Sequence, residues 1–178
     1  MPKAIAILLK KIPLTDTSLI VSWCCQEQGL IRTAAKGARR PGSPLAGKLD
    51  LFYEAEIEIV PSRRGDLHAL KEAEVTNYRH GLQTSFNRIL AGSYFVRLIE
   101  MVAERETPIA ALFDLLRRAL DWLCVQEPTV NGVLHFEREL ATELGLWHSG
   151  DATPPLKTIQ DLCHRVPEQR LVLLERLR

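Results

Sequence analysis

No known catalytic signature is present in this sequence. It has no Gly-x-Ser-x-Gly, no phosphate-binding Gly-x-x-x-x-Gly-Lys and no Gly-x-Gly-x-x-Gly after a strand. The five histidines, His68, His80, His135, His148 and His164, are scattered, and none is paired at helical i, i+4 spacing. The four cysteines, Cys24, Cys25, Cys124 and Cys163, contain no Cys-x-x-Cys. Cys24 and Cys25 are adjacent, so on a strand they point to opposite faces and cannot chelate one ion. Cys163 and His164 are adjacent too, and on a helix they diverge. We therefore expect no metal, no cofactor, no small-molecule substrate and no covalent catalysis, with free thiols in a reducing cytoplasm. No apolar run approaches 18 residues, which excludes a membrane-spanning helix. "MPKAIAILLKKIPL" lacks the order of a signal peptide and reads as mature protein. Aromatic residues make up only 6% of the chain, so platforms for stacking bases are few. A net charge of +1 over 178 residues excludes a globally basic nucleic-acid binder; any electrostatic signal must be local.

One segment does gather charge. From Gln28 to Leu49 the chain carries Arg32, Lys36, Arg39, Arg40 and Lys48 with no acidic residue. Its centre, "AAKGARRPGSPLAGKL", is too rich in glycine and proline for a helix or a strand. Glycines let a backbone approach a ligand, and lysine and arginine neutralise phosphates with release of counterions. Lacking an apolar period, the segment is expected to stay out of the core, with its cations free of local carboxylates. Lys10 and Lys11 close the first strand candidate.

The apolar pattern divides the chain near Asn77–His80. Before that point it runs in twos: Ile5, Ile7 and Leu9; Leu19, Val21 and Trp23; "LIRTAAK"; Tyr53, Ala55, Ile57 and Ile59 against Glu54, Glu56 and Glu58; and Leu67, Ala69, Ala73 and Val75. The three glutamates are the solvated side of an amphipathic strand rather than an acid–base cluster. "PSRRG" separates the last two strands as a turn. Trp23 and Tyr53 belong to apolar faces, while Phe52 falls on the polar face. Five short antiparallel strands predict a small barrel with the strand count of the OB fold.

After the boundary the period is helical. A helix over about 82–104 places Phe86, Ile89, Leu90, Ser93, Val96 and Val102 on one stripe. Thr107 and Pro108 read as the cap and first residue of a second, carrying Leu112, Leu115, Leu116, Ala119 and Leu123. A third covers about 129–144 and stops at Gly145. Two short helices follow "GDATPP". The expected fold is α+β: an OB-fold barrel over residues 1–78, then an all-helical region over 79–178.

The segment "ILLKKIPLTDTSLIVSWCCQEQGLIRTAAKGARRPGSPLAGKLDLFYEAEIEI" resembles the N-terminal domain of the RecO family of bacterial recombination mediators. "AGSYFVRLIE", "ALFDLLRRALDWL" and "FERELATELGL" are similar to the family's helices, so the likeness covers about Ile5 to Leu146. The resemblance implies non-covalent binding of single- and double-stranded DNA, strand annealing and recombinase loading. It implies RecR and the acidic C-terminal tail of the single-stranded-DNA-binding protein as partners, at a cytoplasmic, nucleoid-associated location. By analogy, Lys10, Lys11, Arg32, Lys36, Arg39, Arg40 and Lys48 are the DNA-facing cations. The alternative is an adaptor of the same shape that binds proteins and little DNA. The chain departs from the family's four-cysteine zinc site, having "WHSGDATPP" after "ELGL". It is also short, mainly at its C-terminal end.

Overall fold

A computed structural model describes residues 3–178. Five strands come first: β1 (Lys3–Pro13), β2 (Leu19–Cys25), β3 (Gly29–Ala35), β4 (Glu54–Val60) and β5 (Leu67–Asn77). They close into a barrel in the order β1-β2-β3-β5-β4. Every pairing is antiparallel except β3 with β5, which is parallel and joins Arg32, Thr33 and Ala34 to Leu67, His68 and Ala69. The expected all-antiparallel set thus lacks one feature, the parallel seam that closes the barrel.

The barrel core is apolar. Val21, Trp23 and Cys25 from β2 meet Ala55, Ile57 and Ile59 from β4, as the period of two requires. Trp23 is fully buried and donates its indole N–H to Thr33 Oγ1 at 2.9 Å. On β1 the expected face is the wrong one: Ala6 and Leu8 enter the barrel, whereas Ile7 and Leu9 are buried outside its core cluster and Ile5 is exposed. Both faces are dry here, so hydrophobicity alone does not reveal the parity. On β5 the phase changes partway. Ala73 pairs with Ile57, but Leu70 pairs with Ile59 across an irregularity in the register. That bulge sends Leu70 inward in place of Leu67 and Ala69. Phe52, expected outside, is buried. Its φ of 68° ends the alternation before β4 begins, and its N–H bonds the Leu8 carbonyl.

The same compact unit includes Glu104–Phe113. Leu30 N–H donates to the Glu104 carbonyl, and Glu106 N–H donates to the Leu30 carbonyl. A side chain at Gly29, whose φ is +68°, would place its Cβ 2.1 Å from the Thr107 carbonyl oxygen. Only glycine allows that approach.

The second unit holds Arg79–Ala103 and Asp114–Arg178. A 3₁₀ turn (His80–Thr84) precedes α1 (Phe86–Val102), α2 (Ala110–Val125), α3 (Val130–Glu143), α4 (Pro155–Cys163) and α5 (Gln169–Arg176). The stripe expected on α1 is not found. Its buried residues, Ala91, Gly92, Tyr94, Phe95, Val96, Leu98 and Ile99, cover more than one side. Phe86 is exposed, with the Arg176 guanidinium 4.8 Å from its ring centre. The 3₁₀ turn, α4 and α5 all pack on α1, so burial there is not one-faced. α2 begins at Ala110 rather than at Pro108, because Glu104–Phe113 packs with the barrel first. The limits of α3 are as expected. Thr129 Oγ1 accepts from Gly132 N–H, and at the other end Gly145, with φ +68°, makes a Schellman stop: its N–H reaches the Thr142 carbonyl and Leu146 N–H the Ala141 carbonyl.

This unit buries a charged group. Glu137 on α3 is 2% exposed. It accepts from the Tyr94 hydroxyl at 2.6 Å and from Arg170 Nε at 2.7 Å. Burial and the neighbouring carboxylate push the Tyr94 hydroxyl well above the ordinary tyrosine range, so it stays protonated as a donor.

Candidate nucleic-acid interface

The chain from Lys36 to Tyr53 crosses between β3 and β4 without regular structure, yet its backbone is held. Successive turns bond Ala38 N–H to Ala35 O, Arg40 N–H to Gly37 O, Ser43 N–H to Arg40 O and Ala46 N–H to Ser43 O. Arg39 N–H reaches the Thr17 carbonyl, and Gly37 N–H reaches Ser18 Oγ in the β1–β2 loop. Ala38, Leu45 and Leu49 enter the barrel core. The expectation that this segment stays out of the core is therefore corrected. Small and apolar residues at the right intervals anchor it even though no period is visible. The charged side chains at Lys36, Arg39 and Arg40 remain exposed.

The cations divide into two groups. Lys11 lies on the row of Val21, donates to the Leu49 carbonyl at 3.0 Å and pairs with Asp50 at 2.8 Å. Lys48 pairs with Glu74 at 3.2 Å, and Arg32 sits 3.6 Å from Asp66. Residues 28–49 contain no acid, but the fold brings carboxylates to these cations from the β4 entry, from β5 and from the β4–β5 turn. Among the described residues Lys10, Lys36, Arg39 and Arg40 make no ion pair.

Strand register brings two of the nominated cations into one row. Lys10 faces Ser22, and Ser22 faces Arg32, on the outer side of β1–β2–β3. At about 4.8 Å per strand their Cα atoms are about 10 Å apart. The loop cations follow directly from Ala35 at the end of β3. The lysines beside β4 are neutralised locally: Lys71 pairs with Glu58 at 2.9 Å and Lys3 pairs with Glu56. The Lys71 contact holds the Glu58 carboxyl below its ordinary range. Arg63 and Arg64, in the turn before β5, are exposed cations that the sequence reading passed over; "PSRRG" read only as a turn.

Elsewhere the chemistry is quiet. Among the described residues no three His, Cys, Asp or Glu side chains come together as metal ligands, and no helix is long and apolar enough to cross a membrane. All four cysteines are free; burial pushes the Cys24 thiol up to about 12 and the Cys25 thiol higher still. In the helical unit a cavity of about 340 Å³ opens between α1, α2 and α3. Phe95, Leu115, Ala119, Trp122 and Phe136 line it, together with Arg118 and His135.

A closed barrel in this strand order, with a helical unit after it, defines an OB-fold protein with a helical C-terminal region. Comparison with known proteins narrows that class. Residues 1–79 match the family described as Recombination protein O N terminal, and residues 83–147 match Recombination protein O C terminal. The chain belongs to the RecO family. It is 38% identical over 121 residues to the DNA repair protein RecO of Cyanothece sp., covering 68% of this chain and 41% of that one. It is 29% identical to the protein of that name from Rhodopirellula baltica, over 79% of this chain and 52% of the relative. For the Nitrosospira multiformis protein of that name the identity is 30%, over 90% and 66%. The chain thus spans about half the length of the curated relatives it matches.

Proposed function

We propose that this chain is a recombination mediator in DNA repair that binds single- and double-stranded DNA without covalent chemistry and promotes strand annealing. The observation that carries this reading is the set of exposed, carboxylate-free cations, Lys10, Lys36, Arg39 and Arg40, on a pinned backbone beside an OB barrel. Cations already paired with carboxylates must break those contacts before they can serve phosphates. Cations without partners on a fixed backbone need not, so they release counterions at little cost. The names of the relatives support a repair role. In this reading the protein acts in the cytoplasm at the nucleoid and loads recombinase together with RecR.

The test is binding of single- and double-stranded oligonucleotides across a salt series, with annealing of complementary strands measured in parallel. A steep fall of log affinity with log salt is expected. Flat or undetectable binding overturns the reading.

The cavity in the helical unit favours a second reading, that of a protein-binding adaptor. Its aromatic walls suit apolar side chains, and Arg118 and His135 suit carboxylates. We assign it to the acidic C-terminal tail of the single-stranded-DNA-binding protein. Titration of that tail as a synthetic peptide should change the fluorescence of Trp122. Peptide binding without DNA binding establishes the adaptor alone.

A further inference from the structure

We propose that Arg63 and Arg64, in the turn between β4 and β5, form a second phosphate-binding contact of the barrel, and that His68 positions it. The inference rests on the DNA-binding function proposed above and extends its site to residues outside the basic loop.

The turn is built to hold its backbone while leaving its charges free. Ser62 N–H donates to His68 Nδ1 at 3.1 Å, and Arg64 N–H donates to Ser62 Oγ at 3.2 Å. His68 is 9% exposed at the start of β5. A ring nitrogen that accepts leaves the proton of the neutral imidazole on the other one. The other nitrogen of His68, Nε2, lies 3.5 Å from Glu106 Oε1. His68 thus links the turn to the Glu104–Phe113 segment of the same unit. Asp66, the one acid of the turn, is engaged by Arg105 and faces Arg32 at 3.6 Å. Arg63 and Arg64 are exposed and make no ion pair, with Asp66 or any other carboxylate, among the described residues.

Register sets the path. The outer row Lys10–Ser22–Arg32 continues through the parallel seam to Leu67, the residue that leaves the turn. A strand crossing β1, β2 and β3 along that row arrives at Arg63 and Arg64. The loops between strands 1 and 2 and between strands 4 and 5 flank the oligonucleotide-binding face of OB folds, and this turn is the second of them. Fixing the backbone before binding removes part of the ordering cost, so two otherwise mobile arginines contribute more fully.

The experiment measures the salt slope of single-stranded DNA binding by the full chain and its variants. R63A/R64A should lower the magnitude of the slope by about 1.4, two phosphate contacts at about 0.7 each, with melting temperature unchanged. H68N places an amide oxygen where Nδ1 lies and should keep the wild-type slope. H68L removes the acceptor; it should lose part of the slope and show faster exchange of the Ser62 amide. If H68L does not fold, H68N decides the positioning role, because a folded H68N with a reduced slope overturns it. A wild-type slope in H68L overturns that role as well. A wild-type protein without salt-dependent binding overturns the DNA-binding function itself. A wild type whose slope falls in K36A/R39A/R40A but not in R63A/R64A overturns only the second contact.

Discussion

The barrel and the helical unit use charge in opposite ways. The barrel core is apolar, with the Trp23–Thr33 hydrogen bond inside it, and its lysines and arginines lie half-buried or exposed around it. The helical unit buries Glu137, neutralises it with Arg170, 19% exposed, and hydrogen-bonds it from the Tyr94 hydroxyl. Removing one partner of that buried pair therefore removes structure. Removing one from the barrel surface should remove only a contact to something outside. That difference makes the barrel cations credible ligands for phosphate and gives each substitution a distinguishable outcome.

The largest expected effect breaks the ionic core. Arg170→Met leaves Glu137 buried without its cation, and losing one partner of a buried pair costs about 3–5 kcal/mol. Chemical denaturation should show a loss at the low end of that range, since Arg170 keeps some solvent. A change near zero would mean that the helical unit tolerates surface-like charge and that the contrast is false. Of similar size is the apolar counterpart: Ile57→Ala, at a fully buried β4 position, should cost about 2–5 kcal/mol according to how far the site collapses.

β4 was readable because its two sides differ chemically, Ala55, Ile57 and Ile59 inside and Glu54, Glu56 and Glu58 outside. β1 was not, because Ala6 to Leu9 is dry on both faces and a continuous apolar run carries no parity. The phase of β5 was hidden by its bulge, which depends on pairing with β4 rather than on its own residues. The basic loop was legible as a site and illegible as a structure. Its charges stand out in the sequence, but the anchors Ala38, Leu45 and Leu49 follow no period. Which cations are free could not be read either. Asp50, Asp66 and Glu74 reach Lys11, Arg32 and Lys48 only through the closure of the barrel.

Next in size is an effect on binding with none on folding. Replacing Lys36, Arg39 and Arg40 together by Ala should lower the magnitude of the salt slope by about 2 on single strands and about 2.7 on duplex. Melting temperature should hold, because the loop is anchored by its apolar residues and turns, not by these side chains. Sequence preference should not move, since phosphate contacts carry no base information. Unfolding of the triple variant would place these charges in the structural class of Glu137 and Arg170 and would erase the contrast.

The smallest effect tests whether pairing, rather than position, decides which cation contacts DNA. Lys48 lies in the same basic segment as Arg40 but is 3.2 Å from Glu74, whose side chain is 77% exposed. An exposed pair is worth about 0–1 kcal/mol, so it weakens a phosphate contact without abolishing it. Lys48→Ala should then lower the slope by less than the 0.7 or so of a full single-strand contact. Glu74→Gln removes the competing carboxylate and keeps the shape. It should raise the magnitude of the slope, and Lys48→Ala made in that background should cost the full contact. The four proteins form a double-mutant cycle whose interaction term is the influence of the pair on DNA binding. If Lys48→Ala costs a full contact with Glu74 intact, the carboxylate does not restrain the lysine when DNA is bound. Lys11 and Arg32 would then count as full phosphate contacts too. If Glu74→Gln changes nothing and Lys48→Ala changes nothing, Lys48 lies off the path of the strand, and the interface runs through Lys10, Lys36, Arg39 and Arg40 without it.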